Sequence, residues 1–173
     1  MLFPFPRGRS YMLLLHFRKS ASIWGAKMDY LQIEGDSRMG FGPLGFRFRW
    51  GFSGGVNNEG EGFSLGGRWG YADDRVRMVR GYNLRFAKSF LLLNTEWGLV
   101  SIPHGSVRLF GDLARYREIE EAKSQTLLGY GLGIRLWLPG TDWLESIPIR
   151  VEYGAPKEGV DKGFFYIGTW WGI

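Results

Sequence analysis

The chain has 173 residues, the length of one domain, and its formal net charge at pH 7 is +5. It has no cysteine, which excludes disulfide scaffolds and thiolate metal sites. No apolar run approaches the ~18–20 residues of a membrane-spanning helix, and the arginines are dispersed, which argues against a nucleic-acid partner. The 27 glycines and 17% aromatic residues are instead typical of many short strands joined by tight turns.

Alternation of apolar and polar residues, the pattern of a two-faced β-strand, recurs along the whole chain. In residues 128–138 every even-numbered residue is apolar, while the odd-numbered ones include three glycines and Arg135. Eight such segments are predicted to be strands: residues 11–18, 29–36, 44–53, 90–99, 107–113, 128–138, 147–154 and 165–173. No segment has a convincing helical pattern, so the fold is predicted to be all-β.

Three features favour an antiparallel transmembrane β-barrel over a soluble sandwich. The apolar faces are long enough to cross the ~25 Å apolar band of such barrels. Aromatic residues typical of an interfacial girdle lie near strand ends, at Trp50, Phe52, Trp97, Tyr153 and Trp171. Short turns at residues 40–43, 102–105 and 139–146 are expected on one side of the membrane. The longer connections, at about residues 54–88, 117–125 and 155–162, are expected on the other side. Residues 1–173 are therefore predicted to be one outer-membrane barrel domain, although no signal peptide is visible.

The longest connection, residues 54–88, contains a stretch rich in Gly and Arg at Phe63–Tyr82. Loops of this length in a compact domain are usually functional or disordered. This one has bulky side chains beside arginines and few aliphatic residues to pack, so it is interpreted as a plug folded into a wet cavity. Arg80 in such a plug needs an anionic partner, because an unpaired charge away from bulk water is costly. Alternation directs Asp112 and Glu96 inward.

Four motifs, in matching order and spacing, resemble the bacterial surface antigen superfamily of outer-membrane assembly and translocation barrels. This superfamily includes the central barrel of the β-barrel assembly machinery. The loop motif consists of Phe63, Leu65, Gly66 and Gly67, followed by Val79, Arg80, Gly81 and Tyr82. Two strand motifs follow at residues 93–96 and 110–114, with Ala114 in place of the family's usual Gly. The last strand, with Gly168, Trp171 and Ile173, resembles the terminal assembly signal, which usually ends in Phe.

The resemblance implies that the chain supplies eight strands, the C-terminal half of a sixteen-stranded barrel. The long loop would fold inward, Arg80 would meet Asp112, and Gly81 would allow close approach to the wall. The implied function is non-enzymatic: assistance in the insertion or secretion of outer-membrane proteins. The implied partners are outer-membrane lipid, client outer-membrane or secreted proteins, and a second chain or a missing N-terminal half that completes the barrel.

Other functions stay open at this point. One is a small stand-alone barrel with a structural or adhesive role, which the long loop disfavours because an eight-stranded interior is only just filled by side chains. Another is an outer-membrane hydrolase, or the barrel anchor of a lipase-type protein. The two histidines, His16 and His104, have no Ser and Asp at a recognisable catalytic spacing. No catalytic, cofactor-binding or metal-binding residue is predicted.

Overall fold

The structure is a computed structural model that describes residues 9–20, 30–55, 62–66, 79–102, 104–119, 123–138 and 147–169. Within these ranges the chain forms nine antiparallel strands and one short 3-10 turn at Val160–Lys162. The strands are β1 (Arg9–Ser20), β2 (Tyr30–Phe41), β3 (Leu44–Gly55), β4 (Phe63–Leu65), β5 (Arg85–Ile102), β6 (Gly105–Glu118), β7 (Ser124–Leu138), β8 (Ile147–Pro156) and β9 (Phe164–Thr169). Across the same ranges, no helix is long and apolar enough to cross a membrane. The predicted all-β antiparallel class is confirmed.

The strands belong to one sheet, in which eight follow one another as a meander in the order β1-β2-β3-β5-β6-β7-β8-β9. The additional short strand, β4, lies off this path and pairs with the start of β5. In the part of the chain that the structure describes, β1 and β9 form no ladder with each other. The sheet is therefore open there, and the closed barrel predicted from the sequence is not observed.

The predicted strands are present, but several of their bounds differ from the prediction. The long connection, predicted at about residues 54–88, is shorter at both ends, since β3 continues to Gly55 and β5 begins at Arg85. The hairpin loop predicted at 117–125 is also shorter, because Arg117 still pairs with Ser124. Backbone pairing therefore continues past the residues whose side chains alternate. The predicted turn at 139–146 and the last residues of the predicted final strand lie outside the described residues.

The two faces of the sheet differ in chemistry. Successive residues of a strand point to opposite faces, so the period of two in the sequence produces one apolar and one polar face. The outward face carries exposed apolar side chains, among them Tyr11, Leu13, Leu15, Phe17, Phe48, Phe52, Leu91, Trp97, Leu109, Leu113, Leu128, Leu132, Ile134, Phe165 and Ile167. The inward face carries buried polar side chains, among them Asp36, Arg49, Ser53, Asp112, Arg135 and Glu152.

The hydrophobic core lies on the inward face and is built partly from the long connection. Its buried members are Phe63, Leu65, Val79, Ala87, Phe90, Leu92, Ala114, Tyr116 and Leu127. The pairing of β4 with β5 places Phe63 and Leu65 on this face, and the Phe63 ring lies 5.0 Å from that of Phe90 in an edge-to-face contact. The long connection therefore contributes apolar side chains of its own to the core, although the sequence indicated that it has few aliphatic residues to pack.

Candidate functional site

The segment Val79–Tyr82 lies against the inward face, over strands β6 to β8. The Tyr82 N–H donates to the Val79 carbonyl oxygen at 3.4 Å, which closes a turn. Gly81 has a φ of 93°, in the left-handed region that favours glycine. A Cβ atom on Gly81 would lie 2.6 Å from the backbone nitrogen of Pro156 in β8. Glycine is thus required here both for the turn and for the predicted close approach to the sheet.

Arg80 forms a bidentate ion pair with Asp112 of β6. Its Nε donates to Oδ2 at 2.7 Å, and its Nη2 donates to Oδ1 at 2.6 Å. The backbone N–H of Arg80 also donates to Asp112 Oδ2, at 2.8 Å. Both residues are buried. The predicted contact is present, and paired parallel hydrogen bonds of this kind orient the arginine as well as hold it.

Two more carboxylates and an aromatic ring complete the surroundings of Arg80. Its Nη1 lies 3.1 Å from Glu152 Oε2 and 3.3 Å from Glu96 Oε1. Its Cζ lies 3.5 Å from the centroid of the Phe110 ring, a cation–π contact. Burial by itself lowers the pKa of Arg80, but the hydrogen bond to Asp112 and the charges of the three carboxylates outweigh it and hold this pKa well above its ordinary value. The guanidinium therefore stays charged.

Arginines of the sheet wall share the same carboxylates. Arg108 Nη1 lies 3.4 Å from Glu96 Oε2, and Arg150 Nη2 lies 3.0 Å from Glu96 Oε1. Arg135 also pairs with Glu96, and Arg150 with Glu152. The resulting group, called the ionic cluster below, contains four arginines and three acidic residues: Arg80, Arg108, Arg135, Arg150, Glu96, Asp112 and Glu152. The sequence predicted the acidic members Glu96 and Asp112 but not Glu152.

Glycines of β7 and β8 make room for Val79–Tyr82, which is called the docked segment below. A Cβ atom on Gly129 would overlap the Arg80 carbonyl oxygen, and one on Gly154 would lie 2.7 Å from the Arg80 Cβ. Any larger residue at Gly129 must therefore displace Arg80 from the wall. The alternation in residues 128–138 predicted that Gly129 lies opposite the apolar face, but it did not predict this role. The available signal was a strand with glycines at every second position opposite an unbroken apolar face.

Two tyrosines form hydrogen bonds that hold the two residues after Arg80, Gly81 and Tyr82. Tyr166 of β9 is buried, and its hydroxyl oxygen accepts a hydrogen bond from the Gly81 N–H at 2.8 Å. The Tyr82 hydroxyl oxygen lies 2.9 Å from Glu158 Oε2 and 3.1 Å from the Leu128 carbonyl oxygen. The role of Tyr166 was not predicted, because nothing local in a terminal strand indicates a contact with a distant loop.

Replacing Tyr166 with phenylalanine should lower the free energy of unfolding by about 1–3 kcal/mol, because the buried Gly81 N–H loses its acceptor. Urea unfolding measures this change. The matched control is Tyr130→Phe, at an exposed outward position of β7, which should change stability by less than ~0.5 kcal/mol. Equal stability of the two variants would contradict the anchoring role of Tyr166.

The remaining predicted residues belong to the first half of the loop motif and to the C-terminal motif. Phe63 and Leu65 are core residues, and Gly66, with a φ of 71°, lies where a Cβ atom would be 2.8 Å from the Asn83 carbonyl oxygen. The first half of the loop motif thus packs beside its second half, although Gly67 lies outside the described residues.

In the C-terminal motif, Gly168 pairs with Arg150 in the ladder between β8 and β9. Trp171 and Ile173 lie outside the described residues.

Comparison of the chain with protein-family models, with curated proteins and with solved structures found no match in any of the three. The class of protein is therefore described by its geometry alone. In the described residues it is an open antiparallel sheet with an ion-paired loop segment on its polar face. No group of three or more His, Asp or Glu side chains arranged to hold a metal ion occurs in the described ranges. The carboxylates of the ionic cluster are engaged by arginines instead.

Proposed function

We propose that this chain forms part of a bacterial outer-membrane β-barrel of the assembly and translocation type, which assists the insertion or secretion of outer-membrane proteins. The observation that carries the proposal is the burial of Arg80 against Asp112, 32 residues away in the sequence. These residues belong to two separate motifs of the family resemblance. Their meeting in one ion pair supports the resemblance independently of the order of the motifs.

The outward face supports a membrane location. Soluble monomers rarely expose contiguous apolar patches larger than a few hundred Å², whereas long strands throughout this meander present exposed apolar side chains on the same face. A barrel strand needs ~9–11 residues to cross a bilayer, and β1, β2 and β3 have 12 residues each. Lipid hydrocarbon is the partner that we assign to this face.

The inward face supports a barrel that is wider than the eight strands of the meander would make alone. An eight-stranded barrel has an interior just wide enough for its side chains. Here the inward face carries the ionic cluster, and the segments 62–66 and 79–84 also pack against this face. We therefore take the meander as one part of a larger wall, with the docked segment inside the lumen.

The proposed mechanism relies on the difference between strands β6 to β9, which the docked segment holds together, and the outer edges of the sheet, whose backbone groups can pair with another strand. The docked segment contacts β6, β7, β8 and β9 through Asp112, Gly129, Glu152 and Tyr166, which ties these strands together. A free strand edge presents backbone N–H and C=O groups that an incoming strand can pair with. In this mechanism a client strand adds to a barrel seam while the strands held by the docked segment keep their shape.

A client-folding assay in phospholipid vesicles tests the proposal. We expect vesicles containing the folded chain to raise the folding rate of an unfolded outer-membrane barrel client several-fold over empty vesicles. The control is the same vesicles with the chain heat-denatured. If the chain inserts but the client folds no faster, the assembly function is wrong, and a stand-alone barrel with a structural or adhesive role is favoured. If the chain stays in the aqueous phase, the membrane proposal is wrong.

A further inference from the structure

The strand β1 is a sheet edge whose side chains are exposed on both faces. Its outward residues Leu13 and Phe17 are 66% and 68% exposed. Its inward residues Leu14 and His16 are also exposed, whereas the inward Asp36 of the neighbouring β2 is buried. In the described part of the chain, β1 pairs with β2 only. The outer backbone edge of β1 can therefore continue the ladder with a further strand.

The opposite edge, β9, is exposed on its outward face only. Phe165 and Ile167 point outward and are exposed, and Tyr166 points inward and is buried beneath the docked segment. An unprotected edge of this kind is a template for pairing with another strand. Because apolar residues point outward in both edge strands, a ladder between a β9 edge and a β1 edge would continue the same apolar outer surface.

Closure of one chain on itself does not fit the inward face. Joining β9 to β1 of the same chain would give an eight-stranded barrel, whose interior is only just filled by its own side chains. The core formed by β4 and Val79, together with the buried Arg80, already lies on that face. Further strands are required to enclose it.

The number of strands in the meander allows a second copy to supply them. Eight is even, so β1 and β9 run antiparallel to each other. A two-fold rotation about the barrel axis then places β9 of one copy antiparallel to β1 of its partner, and it does so at both seams. Closed two-fold symmetry is the commonest arrangement of homo-oligomers. Here the same pairing of β9 with β1 occurs at both seams and closes the barrel.

We propose that two copies of this chain close one sixteen-stranded barrel, each contributing the eight strands of its meander, with identical seams between β9 and the partner's first strand. This inference rests on the membrane-barrel part of the proposed function. Each lumen half then carries its own ionic cluster and docked segment. Among the described strands, the two seams are the ladders that join the copies, and a client strand enters there.

Thiol cross-linking tests the seams, because the chain contains no cysteine of its own. The double variant Leu13→Cys with Ile167→Cys places one outward thiol on each edge, and Leu15→Cys in place of Leu13→Cys tests a second register. A disulfide needs Cβ atoms ~3.5–4.5 Å apart, so only adjacent seam positions react. We expect a covalent dimer, reversed by reductant, from one of these double variants and from a mixture of its two single variants. Each single variant alone should give none.

The matched control pairs Leu13→Cys with Leu132→Cys, an outward position of β7 in the interior of the sheet that is 53% exposed. It should give no covalent dimer. A dimer in equal yield would mean random collision and would overturn the proposal. A disulfide within one chain would also overturn it, since that product is an eight-stranded barrel.

The mass of the folded, unmodified chain in detergent separates this proposal from the function on which it rests. We expect a protein mass of twice 19.8 kDa by light scattering. A heat-modifiable, membrane-inserted species of one chain would overturn the two-copy barrel and leave the membrane proposal standing. A chain that folds only with a different polypeptide would likewise overturn it. A chain that never enters vesicles would overturn the proposed function itself.

Discussion

Replacing Arg80 with alanine should lower the free energy of unfolding by about 3–5 kcal/mol, the usual effect of removing one partner of a buried ion pair. The variant leaves Asp112 buried without the guanidinium and removes one cation from Glu152. It also removes the cation that lies over the Phe110 ring. The docked segment should therefore leave the sheet, and urea unfolding together with limited proteolysis measures both effects.

Trypsin provides a direct readout of this release. The sequence between Gly66 and Val79 contains arginines at positions 68, 75 and 77, each a potential cleavage site. We expect cleavage there to become much faster in Arg80→Ala, as quantified by mass spectrometry of the fragments. Arg80→Lys should be intermediate, because an ammonium group keeps the charge but not the bidentate geometry.

The matched control for Arg80→Ala is Arg85→Ala, which removes an exposed arginine at the start of β5. That substitution should change stability by less than ~0.5 kcal/mol and leave the cleavage rate at the native level. If both variants are cleaved equally fast, or if neither is, then Arg80 does not hold the segment against the sheet.

Replacing Gly129 with alanine should release the same segment without changing any charge. The added Cβ would overlap the carbonyl oxygen of Arg80, so the Arg80 backbone must move away from β7 and from its hydrogen bond to Asp112. Overpacking of a filled site costs ~1–3 kcal/mol, and weakening of the ion pair adds to this cost. Urea unfolding and the trypsin assay again provide the measurement.

The control for Gly129→Ala is Gly45→Ala in β3, since a Cβ atom built on Gly45 has nothing within 4 Å. Alanine there should be neutral or slightly stabilising, because glycine loses more conformational freedom on folding than alanine does. Equal effects of the two substitutions would mean that the loss comes from glycine flexibility in a strand, and the steric explanation would be wrong.

The strands and their two faces could be predicted from the sequence, because the alternation of side chains in a strand is a local property of the backbone. Residues 128–138 show this clearly: the predicted apolar face is exposed, and Gly129, Gly133 and Arg135 are buried on the other. Inward alternation and the family resemblance together also predicted the pairing of Arg80 with Asp112, which the structure contains.

The residues that surround that pair depend on contacts between distant parts of the chain. Glu152 is 72 residues from Arg80, and Tyr166 is 85 residues from Gly81, so no local pattern indicates that they meet. The strand β4 was likewise missed, because three residues are too few for a period of two to stand out. Local periodicity specifies which face a residue occupies, whereas the neighbours across that face depend on how distant strands come together.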